Sequence, residues 1–301
     1  MQTKIEQLQR QIAGGVAPAM ATPLHPDGYR VNVEMIGPLV EFLIGAGVKG
    51  LFVGGTTGEG ILLAAAERRQ LHESALAATG GRVPVLLHVG AYTTAEAVQL
   101  AEHAARIGAD AIVAVAPPFY PMHDDALLAY FRQVAAAAPE IPFFVYDIPQ
   151  LAVNGIGPAL LPRLAEAIPT LAGMKCSRPD AQVIRQLLDA APAGVVVYAG
   201  NEAIALGSLA LGASALISGL STAVPEPFVA LTRALDRQDL AAARSQQQII
   251  NRLLPLLPGG ARIGAIKRIL VQRGIDVGPA VPPRPTPALP GLWEKMQAIL
   301  G

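Results

Sequence analysis

Eight short apolar runs, rich in Val, Ile, Leu and Phe, recur along the chain and alternate with longer stretches of helical spacing. They cover residues 16–22, 50–54, 83–88, 111–116, 142–146, 171–175, 195–199 and 214–218. Continuous rather than alternating hydrophobicity marks strands covered on both faces, the condition of a parallel sheet whose crossovers are helices. Eight such units in roughly 220 residues fit an α/β fold of the (β/α)8 TIM barrel type better than an open doubly wound sheet. Helix signals agree: Asn32 and Glu34 precede a helix predicted to end near Gly45 to Gly47, and the stretch from Thr93 to Glu96 caps one reaching Arg106 to Gly108. At 301 residues and 52% hydrophobic the chain can bury a large core. We expect a barrel over residues 1–224 and a C-terminal helical extension over 225–301 packed on it. The extension is predicted to hold helices at 226–235, 240–254, 261–273 and 292–300, with a proline-rich strap at 279–290 across the barrel's outside.

The formal net charge is zero and no run of like charges occurs, so there is no electrostatic footprint for nucleic acid or an anionic membrane. A small-molecule partner is the default. Residues 203–224 lack charge and could span a bilayer by length, but Gly207, Gly212 and Gly219 divide them into a helix, a turn and a short strand, so no membrane span is expected. The single cysteine, Cys176, excludes an internal disulfide, and with no Cys/His cluster no metal site is expected. A reducing, cytoplasmic location fits, as does a polar N-terminus without the apolar stretch of a signal peptide.

Chemistry enters with Lys175. Only five of the 23 basic residues are lysines, and this one ends the apolar run 171–175. A lysine there is desolvated, which favours the free amine that attacks carbonyl carbons; a buried ion pair or a snorkelling stem is the structural alternative. After the run 50–54 stands Gly55-Thr56-Thr57-Gly58-Glu59, a turn able to point N–H groups and hydroxyls at a small anion, or an ordinary connection. No Gly-Lys-Ser/Thr follows, which argues against nucleotide binding. Tyr146 brings a phenol to the end of the run 142–146. Carboxylate clamp, amine and proton shuttle together are the parts for imine chemistry on a 2-oxo acid.

Three ordered motifs, Gly55-Thr56-Thr57-Gly58-Glu59, Tyr146-Asp147-Ile148-Pro149 and Gly173-Met174-Lys175, resemble those of the dihydrodipicolinate synthase/N-acetylneuraminate lyase family. The resemblance runs from about Gly15 through the eighth run and into the helical tail. It implies a barrel enzyme of the class I pyruvate aldolase and dehydratase type, a homo-oligomer (tetramer or dimer), with no metal or organic cofactor but a covalent imine through Lys175. It further implies that Tyr146 is the general acid/base, that Thr56 positions its proton path, and that Thr57 with neighbouring N–H groups around Gly55 holds the carboxylate of pyruvate or another 2-oxo acid.

Departures from the family pattern narrow the substrate. Leu151 stands where the biosynthetic synthase has an arginine, and Phe119 stands where it has a relay tyrosine, with the hydroxyl moved to Tyr120. The lyase branch is matched at His88-Val89-Gly90 and Thr93-Thr94-Ala95-Glu96, but of its polyol-gripping residues Glu202 remains while Ala203 and Gly219 replace the others. The expectation is an aldolase that cleaves a 2-keto-3-deoxy sugar acid, or a related 4-hydroxy-2-oxo acid, to pyruvate and an aldehyde. Asn201, Glu202 and Ser218 would bind its hydroxyls, though Asn201 is equally placed to cap the helix it starts. Arg178 is a candidate for a distal carboxylate, or an exposed helix-start arginine. An ionised Asp147 close to Tyr146 would make the phenolate rarer. Alternatives are synthase or neuraminate lyase activity, a 2-oxo acid dehydratase, and a non-catalytic binding barrel.

Overall fold

Residues 1–301 are described by a computed structural model. Seven parallel strands follow one another in chain order: β1 (Leu51–Val53), β2 (Val85–His88), β3 (Ala111–Val115), β4 (Phe143–Asp147), β5 (Leu171–Cys176), β6 (Val196–Ala199) and β7 (Ala215–Leu216). The first apolar run closes the ring without becoming a regular strand. Ala17 and Ala19 donate their N–H groups to the carbonyls of Leu216 and Ser218, while Phe52 donates to Pro18 and Met20 to Phe52. Pro18 has no N–H to give, so the ladder is interrupted on this stave. The (β/α)8 barrel therefore stands as expected, with seven strands and one irregular segment.

Period-two alternation divides the apolar runs between two cores. Phe52, Leu86, Val113, Phe144, Tyr146 and Tyr198 pack together inside the barrel. Leu51, Val53, Leu87, Ile112, Phe143 and Met174 pack outward beneath the surrounding helices. The helix Gln2–Ile12 was not predicted; its Ile5, Leu8 and Ile12 join the inner core. Gln9 of this helix donates to the carbonyls of Ala172 and Gly194, near the starts of β5 and β6, so the helix closes that end of the barrel. The opposite end, where the strands finish, is left for the site.

The C-terminal helices Glu226–Asp236, Leu240–Leu253, Arg262–Gln272 and Leu292–Leu300 lie close to their predicted positions. Phe228, Leu231, Ile250, Ile266, Leu270 and Met296 join the outer core. The strap, however, does not run over the barrel's outside. It folds over the rim where the strands end: Val281 donates its N–H to the Glu59 carboxylate at 3.0 Å, and Lys267 Nζ donates to the Pro279 carbonyl at 2.6 Å. Glu59 and Lys267 form an ion pair at 3.2 Å with both side chains fully buried, and this pair fixes the strap's path. No helix is long and apolar enough to cross a membrane.

Candidate active site

The register of β4 on β5 sets Tyr146 beside Lys175, and the alternation that sends Phe144 and Tyr146 inward sends Lys175 inward too. Lys175 is 4% exposed. Its Nζ lies 4.1 Å from the centroid of the Tyr146 ring and 4.4 Å from that of Phe52. Burial pushes the Lys175 pKa below the ordinary lysine value, while Tyr146 and the Glu202 carboxylate oppose the shift. The result is an amine more readily neutral than a surface lysine. Gly200, after β6, makes room for its stem, since a Cβ there would lie 3.2 Å from Lys175 Cε and collide with the Ser177 hydroxyl.

The turn after β1 is folded tightly on itself. Gly60 donates its N–H to the Gly55 carbonyl at 3.2 Å, and a Cβ on Gly58 would stand 2.8 Å from the Met20 carbonyl oxygen. Glu59 adopts a left-handed backbone (φ 55°), a conformation held by the buried Lys267 pair. This fold carries Thr56 Oγ1 to 3.2 Å from Tyr146 Oη. Thr57 lies beside Gly219, where any Cβ would stand 2.7 Å from its Oγ1. Both threonines, Tyr146 and Lys175 line one cavity of about 580 Å³ at the strands' C-terminal end, together with Asn201 and Glu202.

The remaining candidates take less direct positions. Gly55 lies behind the cavity wall, where a Cβ would collide with the Phe52 ring. Ser218 is buried and donates to Glu202 Oε1 at 2.8 Å, an oxygen that also accepts the Leu220 N–H at 2.7 Å. Asn201 caps the Glu202–Ile204 turn by accepting the Ala203 N–H, and donates to the Arg178 carbonyl. Arg178 is not free for a substrate carboxylate: it makes a two-pronged pair with Asp147, at 2.6 and 3.1 Å. Asp147 follows an inward residue and so faces outward, where it also accepts the Ile156 N–H, and its charge is spent there rather than on the tyrosine hydroxyl. Cys176 shares that outward face, its thiol pushed up to about 12 by burial. Leu151 stands exposed at the cavity rim, whereas Phe119 and Tyr120 are exposed away from it.

Two arginines at the cavity escaped the sequence reading. Arg262 pairs with the second oxygen of Glu202, and Arg284, on the strap, lies with its Nε 3.4 Å from Glu59 Oε1. Arg284 is the one charged residue among residues 279–290, which was the available signal. No group of three or more His, Cys, Asp or Glu side chains is gathered that could hold a metal ion.

The chain is 34% identical to N-acetylneuraminate lyase of Gallus gallus over 275 residues, which is 88% of each chain. It is 35% identical to 4-hydroxy-tetrahydrodipicolinate synthase of an Exiguobacterium species over 267 residues, 88% of this chain and 89% of that one. Among solved structures, a Ruminococcus gnavus sialic acid aldolase superposes with a TM-score of 0.90 at 27% identity, covering 96% of this chain and 97% of that one. Near-equal likeness to a lyase and a synthase leaves the specificity to the cavity itself. The profile of the Dihydrodipicolinate synthetase family matches residues 12–296, barrel and tail together, and this chain belongs to that family.

Proposed function

We propose that this chain is a class I aldolase that cleaves a 2-keto-3-deoxy sugar acid, or a related 4-hydroxy-2-oxo acid, into pyruvate and an aldehyde. The observation that carries the reading is the pairing of a buried, pKa-lowered Lys175 with the Tyr146–Thr56 hydroxyl pair at the floor of one cavity. The neutral amine attacks C2 of the substrate, and loss of water leaves a protonated imine. Tyr146, having given its proton to the departing water, takes the proton of the C4 hydroxyl as the C3–C4 bond breaks, the aldehyde departs, and the electron pair is held as an enamine. Protonation at C3 and hydrolysis release pyruvate and restore the amine. Thr57 and the backbone of the Gly55 turn hold the C1 carboxylate, and Glu202, backed by Ser218 and flanked by Asn201, forms the wall facing the rest of the substrate.

No organic cofactor or metal enters this scheme, and a cytoplasmic site of action is part of it. So is the division at residue 224, in which the extension contributes Arg262 and Arg284 to the cavity. A homo-oligomer, tetramer or dimer, is supported by exposed Phe119 and Tyr120, whose loop is tied to the segment after Leu151 by Asn154. Borohydride reduction in the presence of pyruvate, followed by peptide mass spectrometry, tests the core of the scheme. A reduced pyruvyl adduct on Lys175 is expected; a folded protein that gives none, or gives it elsewhere, overturns the assignment.

A further inference from the structure

We propose that Arg284, assisted by Arg262, forms a subsite for a second oxyanion, so that the preferred substrate is a 2-oxo acid whose far end is itself an acid. The inference rests on the aldolase reading above and concerns the half of the substrate that leaves as the aldehyde.

Charge on the cavity wall is unbalanced. Of its lining residues Lys175, Arg262 and Arg284 are cationic and Glu202 alone is anionic. Arg262 answers Glu202, whose other oxygen already accepts from Ser218 and Leu220, so little acceptor capacity remains for a polyol. The acid beside Arg284 is Glu59, which is matched by Lys267 in a fully buried pair and also accepts the Val281 N–H. Two cations are left beyond these pairs: Lys175, which the aldolase reading gives to the imine, and Arg284, whose Nε lies 3.4 Å from Glu59 without a hydrogen bond and whose side chain is 37% exposed. A partly desolvated guanidinium with unused donors is suited to a carboxylate or phosphate.

The alternatives for holding a distal acid are closed. Leu151 carries no charge, and Arg178 is committed to Asp147. Arg284 is also fixed in place, because the strap that bears it is pinned at Val281 to Glu59 and lies so close to the helix Arg262–Gln272 that a Cβ on Gly264 would strike the Pro285 carbonyl. The turn at Thr57 takes the first carboxylate, and a cavity of about 580 Å³ has room well beyond pyruvate for a second.

Three matched 2-keto-3-deoxy acids test this: one ending in a primary alcohol, one in a carboxylate, and the terminal phosphate monoester of the first. Pyruvate release gives kcat/KM, and borohydride trapping reports the imine on Lys175. Wild type is expected to prefer one acid-ended substrate over the alcohol by at least about tenfold, and the preferred one identifies the oxyanion. Arg284→Gln should lower kcat/KM for that substrate by about 10- to 100-fold while the alcohol-ended one changes by less than about threefold. Arg284→Lys should recover part of the loss, which a merely structural role would not produce. If imine and pyruvate form but the alcohol is preferred, or Arg284→Gln lowers all three alike, the subsite is refuted while the aldolase reading stands. Absence of any adduct on Lys175, with pyruvate or the three acids, overturns both.

Discussion

Lys175 is held between opposing influences: burial drives its proton off, while Tyr146 and the Glu202 charge help to keep it on. Because the neutral amine is the attacking form, the rate of imine trapping with pyruvate should rise with pH and level off before the ordinary lysine value of 10.5 is reached. In Glu202→Gln the plateau should come at still lower pH, since one of the charges that retains the proton is gone. A plateau at the ordinary lysine position, or an upward shift in the variant, would contradict this account. Tyr146→Phe should reduce kcat for retro-aldol cleavage by about 100- to 10,000-fold, the range for losing a positioned acid/base, with far-UV circular dichroism unchanged. Lys175, Tyr146 and Thr56 were legible in the sequence because each ends or follows an apolar run, where a parallel barrel does its chemistry. Asp147 and Arg178 were misread although the same alternation that turns Tyr146 inward turns Asp147 outward. Arg262 was out of reach, and Arg284, though marked as the lone charge of its proline-rich stretch, carries no local sign of which cavity its side chain enters.

Among the elements, the strap shows most clearly what a sequence withholds. Its extended course follows from its prolines, but its destination is set by Glu59, which lies 222 positions from the Val281 N–H it receives. The Glu59–Lys267 pair is the fastening. Glu59→Gln leaves Lys267 without a counter-charge in a site with no solvent access, and should cost about 3–5 kcal/mol by urea denaturation. A loss below about 1 kcal/mol would show that the strap is held by its apolar contacts instead. The helices of the extension were readable from their periodicity. The helix Gln2–Ile12 was not recognised because its polar surface dominates its composition, although Ile5, Leu8 and Ile12 carry the three- and four-residue spacing of a buried stripe. The strands were readable because both faces are covered, whereas residues 16–22 carry their proline, Pro18, in mid-run, unlike Pro84 and Pro142, which precede the strands of their runs.

For the molecule as a whole, buried imidazoles link stability to acidity. His72 and His88 are both pushed well below 6.5, chiefly by burial and then by the Arg68 charge. Above 6.5 the histidines are neutral in folded and unfolded chains alike; below it the unfolded chain binds protons that the folded one refuses, so stability falls as pH drops. Each group contributes about 1.4 kcal/mol per pH unit to that slope. His72→Leu should lower it by up to about 1.4 kcal/mol per pH unit, as read from denaturation midpoints between pH 6.5 and 5; an unaltered slope would place the acid sensitivity elsewhere.

The closing stave has a consequence in time. Residues 16–20 bond to β1 on one side and to Leu216 and Ser218 on the other, so the ring cannot shut until a chain has grown some 200 residues beyond its own first stave. Until then the growing sheet has two raw edges, one of them apolar and awaiting a partner not yet made. Closure is thus the longest-range strand pairing of the barrel and belongs to the slow steps of its assembly. A nascent chain arrested short of β7 is the form in which this protein is most exposed to pairing with the wrong neighbour.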